Sequence, residues 1–207
     1  MNLTDLLQGQ LSEDMLSQLS QQLGGAEKEK TAAAATGIMN VLVGGLAKNA
    51  SKPEGAQSLN NALERDNHDS LLENIMGMLG GNQAAVSNQR AANGAGIINH
   101  ILGDRQSGAV DMISKMSGLD QGQTGNLMTM LAPMLMGALG QQKKQNNLGA
   151  DGIAGLLTQV VSQQKQSSGN PTMDLAMRFL DSDGDGSVMD DVANIGMKFL
   201  GNFFKKR

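Results

Sequence analysis

The sequence predicts an all-α protein, and three observations carry that expectation. Aromatic residues are only 2% of the 207-residue chain, with four Phe and neither Trp nor Tyr, so the core must be built from Leu, Ile, Val, Ala and 15 Met. Such side chains suit helix-on-helix packing, whereas sheets draw on β-branched and aromatic residues. Apolar residues also recur at helical spacing from the first segment onward, as in Met15, Leu16, Leu19 and Leu23. Finally, the helical segments recur in order, which predicts a duplicated helical bundle followed by a small helix-loop-helix module.

The first helix is amphipathic through Met15, Leu16, Leu19 and Leu23. The second is apolar nearly all round over residues 38–47, the mark of a central buried helix. Gly44 and Gly45 there allow close helix approach at some cost in helix propensity. A third helix covers roughly residues 56–64, and another covers 69–79 and ends at Gly80-Gly81. A polar linker over 82–93 leads into Gly94-Ala95-Gly96-Ile97-Ile98-Asn99-His100-Ile101-Leu102-Gly103, whose glycines are expected to permit a tight turn into a helix. Met112, Ile113 and Met116 then repeat the first amphipathic pattern. The apolar stretch 127–139 repeats the second, with Gly137 at a close approach and Pro133 expected to begin or kink the helix. Residues 151–161 supply the last.

Three blocks match in the same order. Asp14-Met15-Leu16-Ser17-Gln18-Leu19-Ser20 returns as Asp111-Met112-Ile113-Ser114-Lys115-Met116-Ser117. Residues 38–46 align with 131–139, and 55–59 with 149–153. The expected organisation is a duplicated domain over 1–161, with repeats at about 11–66 and 108–161 and an intervening helix and linker over 67–107. Two such copies would bury together faces that neither buries alone. Residues 162–172, rich in Gln and Ser, form the expected linker, and 173–207 a separate module holding all four Phe: Phe179, Phe199, Phe203 and Phe204.

The motif with chemical content is Asp181-Ser182-Asp183-Gly184-Asp185-Gly186. In a helix-loop-helix calcium site, oxygen ligands stand at loop positions 1, 3 and 5, Gly at 6 permits the turn, and a backbone carbonyl serves at 7. Asp181, Asp183, Asp185, Gly186 and Ser187 fill those places, with Val188 at the apolar position 8. Three carboxylates so close repel one another unless a cation lies between them. Position 12, usually a bidentate Glu, is Val192; Asp191, or alternatively Asp190, is expected to complete the coordination. The expected ion is Ca²⁺, with Mg²⁺ as the substitute, bound weakly because the loop is single and lacks that Glu. A metal-free Asx turn with a helix cap is the competing reading.

The strings Gly94-Ala95-Gly96-Ile97-Ile98-Asn99-His100-Ile101-Leu102-Gly103 and Met130-Leu131-Ala132-Pro133-Met134-Leu135-Met136-Gly137-Ala138-Leu139-Gly140, taken with the Asp-rich loop, resemble a bacterial family known as domain of unknown function 937. The resemblance covers about residues 3–157. It implies a bacterial helical protein, often with an acidic Asp-Gly loop after the helical part, and supplies no activity or catalytic residue. The loop itself resembles one half of a dockerin-type repeat of EF-hand character.

Several function classes fall away. A net charge of -4 and a pI near 5.1 leave no basic stripe for phosphates, so no nucleic-acid partner is expected. Without Cys there are no disulfides, thiolate sites or Cys nucleophiles. His68 and His100 are the only histidines; neither has a second His at i+4 for zinc, and His100 is expected to be a hydrogen-bonded structural residue. The glycines near 94 lack the Lys-Ser/Thr of a phosphate loop. Met128, Met130, Met134 and Met136 read as core rather than as a binding surface. No signal peptide and no apolar run of about 20 residues stand out, so a cytoplasmic location is expected.

No nucleophile-base pair supports an enzyme. The expectation is a non-enzymatic protein whose calcium-stabilised C-terminal module mediates self-association or binds a protein partner. The alternative is a membrane-peripheral protein anchored by its last helix, where Val188, Val192, Ile195, Phe199 and Phe203 share a face ahead of Lys205-Lys206-Arg207.

Overall fold

The computed structural model describes residues 12–65 and 93–166, with side chains to residue 163. Seven α-helices and one 3₁₀ turn occupy these residues, with no strand among them. The protein is all-α. The first helix, α1 (Glu13–Gln22), starts where the Ser12 side chain accepts from the Met15 amide, and Glu13 and Asp14 sit at its positive end. It buries Met15, Leu19 and Ser20, then stops at Leu23. Gly24 and Gly25 follow at φ of 78° and 81°, a left-handed pair that L side chains adopt only with strain. The Ser20 hydroxyl donates to the Ala26 carbonyl across this turn.

Helix α2 (Lys28–Ala50) is the axis of the fold. Every residue from 37 to 47 is buried, so no face is left for solvent. Each of the other helices packs on it. Helix α3 (Pro53–Arg65) begins with Pro, whose missing N–H costs nothing at a first helical position. It turns Ala56, Leu59 and Leu63 inward. Helix α4 (Gly94–Leu102) leads through the 3₁₀ turn Gly103–Arg105 into α5 (Gln106–Ser117), which stops at Gly118 with φ 77°.

Helix α6 (Gln121–Asn146) opens with a reciprocal capping box between Asp120 and Gln123 and closes on left-handed Asn147. Residues 131–140 are all buried, which makes it the second axis, packed on α2. Helix α7 (Ala150–Gln166) covers α2 and α3. The order short, long, medium thus occurs twice, in α1–α3 and in α5–α7, with α4 between them on α6 and α2. Leu42, Ile98, Ile113, Leu127, Leu131 and Leu135 are fully buried in the shared core.

Three sequence expectations need adjustment. Pro133 neither begins nor ends a helix; it lies inside α6, which starts twelve residues earlier at Gln121. The Gly94 string forms a helix from Gly94 itself, not a turn leading into one. Helix α7 continues to Gln166, through the first residues of the stretch read as linker. Met128, Met134 and Met136 are buried and Met130 is half-buried, so these side chains do belong to the core. The expected helix over 69–79 and the module over 173–207 lie outside the described residues. Among the described residues, no helix is long and apolar enough to cross a membrane.

Candidate functional site

Asp181, Asp183, Asp185, Ser187 and Asp191, the expected metal ligands, all lie outside the described residues. Among the described residues, no group of three or more metal-ligating side chains comes together. What the described fold does build is a groove of about 510 Å³ between α2, α3, α4 and α6. Leu46 from α2, Leu59 from α3, Ile97 and Ile101 from α4 and Met136 from α6 give it apolar walls. Asn61, Arg65, Asn93 and His100 bring polar groups to it.

Helix α4 makes one wall, and four local contacts hold it there. Asn93 caps its start, its side-chain oxygen accepting from the Gly96 amide at 3.0 Å. At the other end, the Asn49 amide of α2 donates to the Ile101 carbonyl at 3.1 Å and the His100 carbonyl at 3.4 Å, satisfying backbone acceptors that a helix end leaves open. Gly45 lets Ile101 lie against α2: a Cβ there would stand 2.7 Å from Ile101 Cγ2. Gly94 lies against the Thr129 carbonyl of α6 so closely that a Cβ would overlap it.

That last contact has a cause in the sequence. Pro133 has no amide hydrogen, so the carbonyl four residues earlier, Thr129, loses its in-helix donor, and the ring crowds it outward. The Gly94 backbone meets that freed oxygen. The close approach suits a weak Cα–H···O contact, which a side chain at residue 94 would abolish.

Below the groove, Glu64 of α3 meets Lys143 of α6 at 2.9 Å. Lys143 also donates to the Leu148 carbonyl at 3.1 Å, and Asn60 donates to Glu64 at 3.2 Å. The Lys143 hydrogen bond, helped by Asn60, holds the Glu64 carboxyl below its ordinary range. Beside this pair, the Asn60 side-chain oxygen and the Gln142 side-chain nitrogen are buried without a protein partner.

The His100 backbone carbonyl accepts from Asn49, and its side chain is exposed at the groove. The groove residues were not legible in advance, because they come from four segments far apart in the chain. Only Asn93 carried a local signal, a capping residue just before an apolar helix.

A family model for bacterial proteins of unknown function, DUF937, matches residues 5–142. The chain belongs to this family. The DUF937 match takes in α1 through most of α6, including Gly94, Thr129 and Pro133, and stops at Gln142, short of the reach to residue 157 that the strings suggested. Gly94, in the first of the two strings that carried the resemblance, lies against Thr129, the residue just before the second. No curated protein and no solved structure matches the chain.

Proposed function

We propose that this DUF937 protein is a non-enzymatic, cytoplasmic association protein, a helical body carrying a calcium-ordered C-terminal module that binds a second copy or a protein partner. The observation that carries the reading is the spacing of Asp181, Asp183 and Asp185 before Gly186, which supplies three hard oxygen ligands and the turn a calcium loop requires. Ser187 offers its carbonyl, and Asp191, or Asp190, closes the sphere in place of the usual Glu. Mg²⁺ competes for the same oxygens. Two features support the division of labour. Among the described residues, Met116 is the one exposed large apolar side chain, at 38%. All four Phe, the side chains best suited to an interface anchor, belong to residues 173–207. The recurrence of helix order in α1–α3 and α5–α7 supports the further reading that the body is a duplicated unit.

Calorimetric titration of the full chain tests the metal. Heat with Ca²⁺ that disappears in Asp181→Ala/Asp183→Ala is expected, and no heat with either Ca²⁺ or Mg²⁺ at millimolar concentration refutes the reading. Sedimentation with and without Ca²⁺ tests association. The basic end, Lys205-Lys206-Arg207 beside Phe203 and Phe204, favours one second reading, a membrane-surface anchor. Flotation with anionic liposomes by the full chain, but not by a chain ending at residue 188, would select it.

A further inference from the structure

Helices α1 and α5 carry matching sequence blocks, Asp14 to Ser20 and Asp111 to Ser117, yet the fold holds them differently. Helix α5 packs on both axes, α2 and α6. It is α4, not α1, that matches α5 in this, lying on α6 and α2 with Gly94 against Thr129. Helix α1 packs on α2, burying Met15, Leu19 and Leu23 at i, i+4 and i+8, and Gln123 of α6 donates to the Leu23 carbonyl at 3.0 Å. Anchorage on one axis makes α1 the more easily released of the two. The turn that folds it back also stands clear of the body. Gly24 and Gly25 hold φ of 78° and 81°, and a Cβ on either would meet no atom within 4 Å. The Gly25 and Ala26 amides donate to the Ser20 carbonyl at 3.0 and 3.2 Å, inside the segment itself. Glycine loses more backbone freedom in a fixed turn than any other residue, so opening this pair recovers entropy.

We propose that α1 is an exchangeable arm through which the chain self-associates: the turn at Gly24-Gly25 opens, and α1 of each copy packs on α2 of the other. A second copy is the occupant that fits, because its α1 is the same helix that α2 already buries. Met15, Leu19 and Leu23 find the same surface, the Gln123–Leu23 hydrogen bond re-forms between chains, and the exchange conserves its contacts. The tether opposes it. In the closed chain α1 competes at an effective concentration on the order of millimolar, so exchange grows with protein concentration. This route does not use the calcium loop and stands apart from the reading above.

The test uses the full chain in EDTA, which removes any calcium-dependent association. Methyl-labelled and unlabelled chains are mixed at about 1 mM, to match the tether, then warmed near the melting temperature and cooled. Isotope-filtered NOEs should join Met15 and Leu19 of one chain to α2 of another. A chain that sediments as a monomer throughout, or dimers whose filtered NOEs leave α1 out, overturns the proposal. Monomers in EDTA that associate on adding Ca²⁺ overturn the swap and leave the calcium reading standing. Deleting Gly24 and Gly25 leaves too little turn for α1 to fold back, so the dimer fraction in dilute solution should rise by at least about tenfold as the tether's advantage is lost. An unchanged fraction with helix content kept also overturns it. The NOE measurement is made on the unaltered chain and decides the matter even where the deletion unfolds the protein.

Discussion

Gly94→Ala puts the contact between α4 and α6 under direct strain. The new Cβ would overlap the Thr129 carbonyl oxygen and lie 2.8 Å from its carbon and 2.9 Å from Thr129 Cγ2. Two of those three atoms are backbone, so no change of rotamer relieves the clash; α4 must move off α6 or tilt. Helix α4 contributes Ile98, Ile101 and Leu102 to the core, which makes either movement expensive. Overpacking of this kind costs about 1–3 kcal/mol, and a rigid backbone neighbour puts Gly94 at the upper end. The helix-propensity gain of alanine, at most about 1 kcal/mol in a helix interior, is smaller at a first helical residue. A net loss of about 2–3 kcal/mol corresponds to a fall in Tm of roughly 4–12 °C at about 2–4 °C per kcal/mol. Thermal unfolding followed by far-UV circular dichroism measures it. Gly125→Ala and Gly155→Ala are the controls, because a Cβ at either position has no atom within 4 Å. Each should raise Tm by the propensity gain, about 0.5–1 kcal/mol. A Gly94→Ala protein that melts at or above the parent refutes the account of how α4 meets α6.

Three further outcomes follow from the same geometry and from the C-terminal loop. Pro133→Ala restores a donor to the Thr129 carbonyl, relieving about 3 kcal/mol of helix cost, while about 1.6 kcal/mol of buried methylene contact goes with the ring; a modest rise in Tm is expected, and a fall in chemical denaturation midpoint would count against it. Lys143→Met removes the partner that lowers the Glu64 pKa. Because the folded pKa lies below the unfolded one, the pair's contribution is present above the ordinary glutamate range and is lost as pH falls through the folded value. The parent should therefore lose more stability than Lys143→Met between neutral pH and pH about 3, and parallel denaturation curves across that range would refute the coupling. With millimolar Ca²⁺, the full chain should gain melting temperature and Asp181→Ala/Asp183→Ala should not; an equal gain in both places the ion elsewhere.

How far the chain could be read without its structure depends on the range of each interaction. The two axes, α2 and α6, were legible because burial on nearly all sides leaves a largely apolar stretch, at 38–47 and 127–139. Helix starts carried local chemistry too, as with Ser12 before α1 and Asp120 three residues ahead of Gln123. The calcium loop proposed from the sequence is a local pattern of the same kind, since its expected ligands stand within a dozen consecutive residues. A helix start at Pro133 did not follow, because the cost of proline in a helix is a local rule while its tolerance rests on what meets the Thr129 carbonyl, a glycine 35 residues before Thr129. For His100, an apolar neighbourhood in sequence gave no clue that its side chain lies exposed at the groove.

The sequence by itself determined the all-α class, the two buried axes and the family. These follow from periodicity, capping and side-chain volume, all properties of neighbours along the chain. The tertiary structure decided which glycines are contacts rather than turns, where Glu64 finds Lys143, and that four separated segments leave a groove at Arg65 and Asn93. Close approach and charge pairing act between surfaces, and which surfaces meet is settled only when the helices pack.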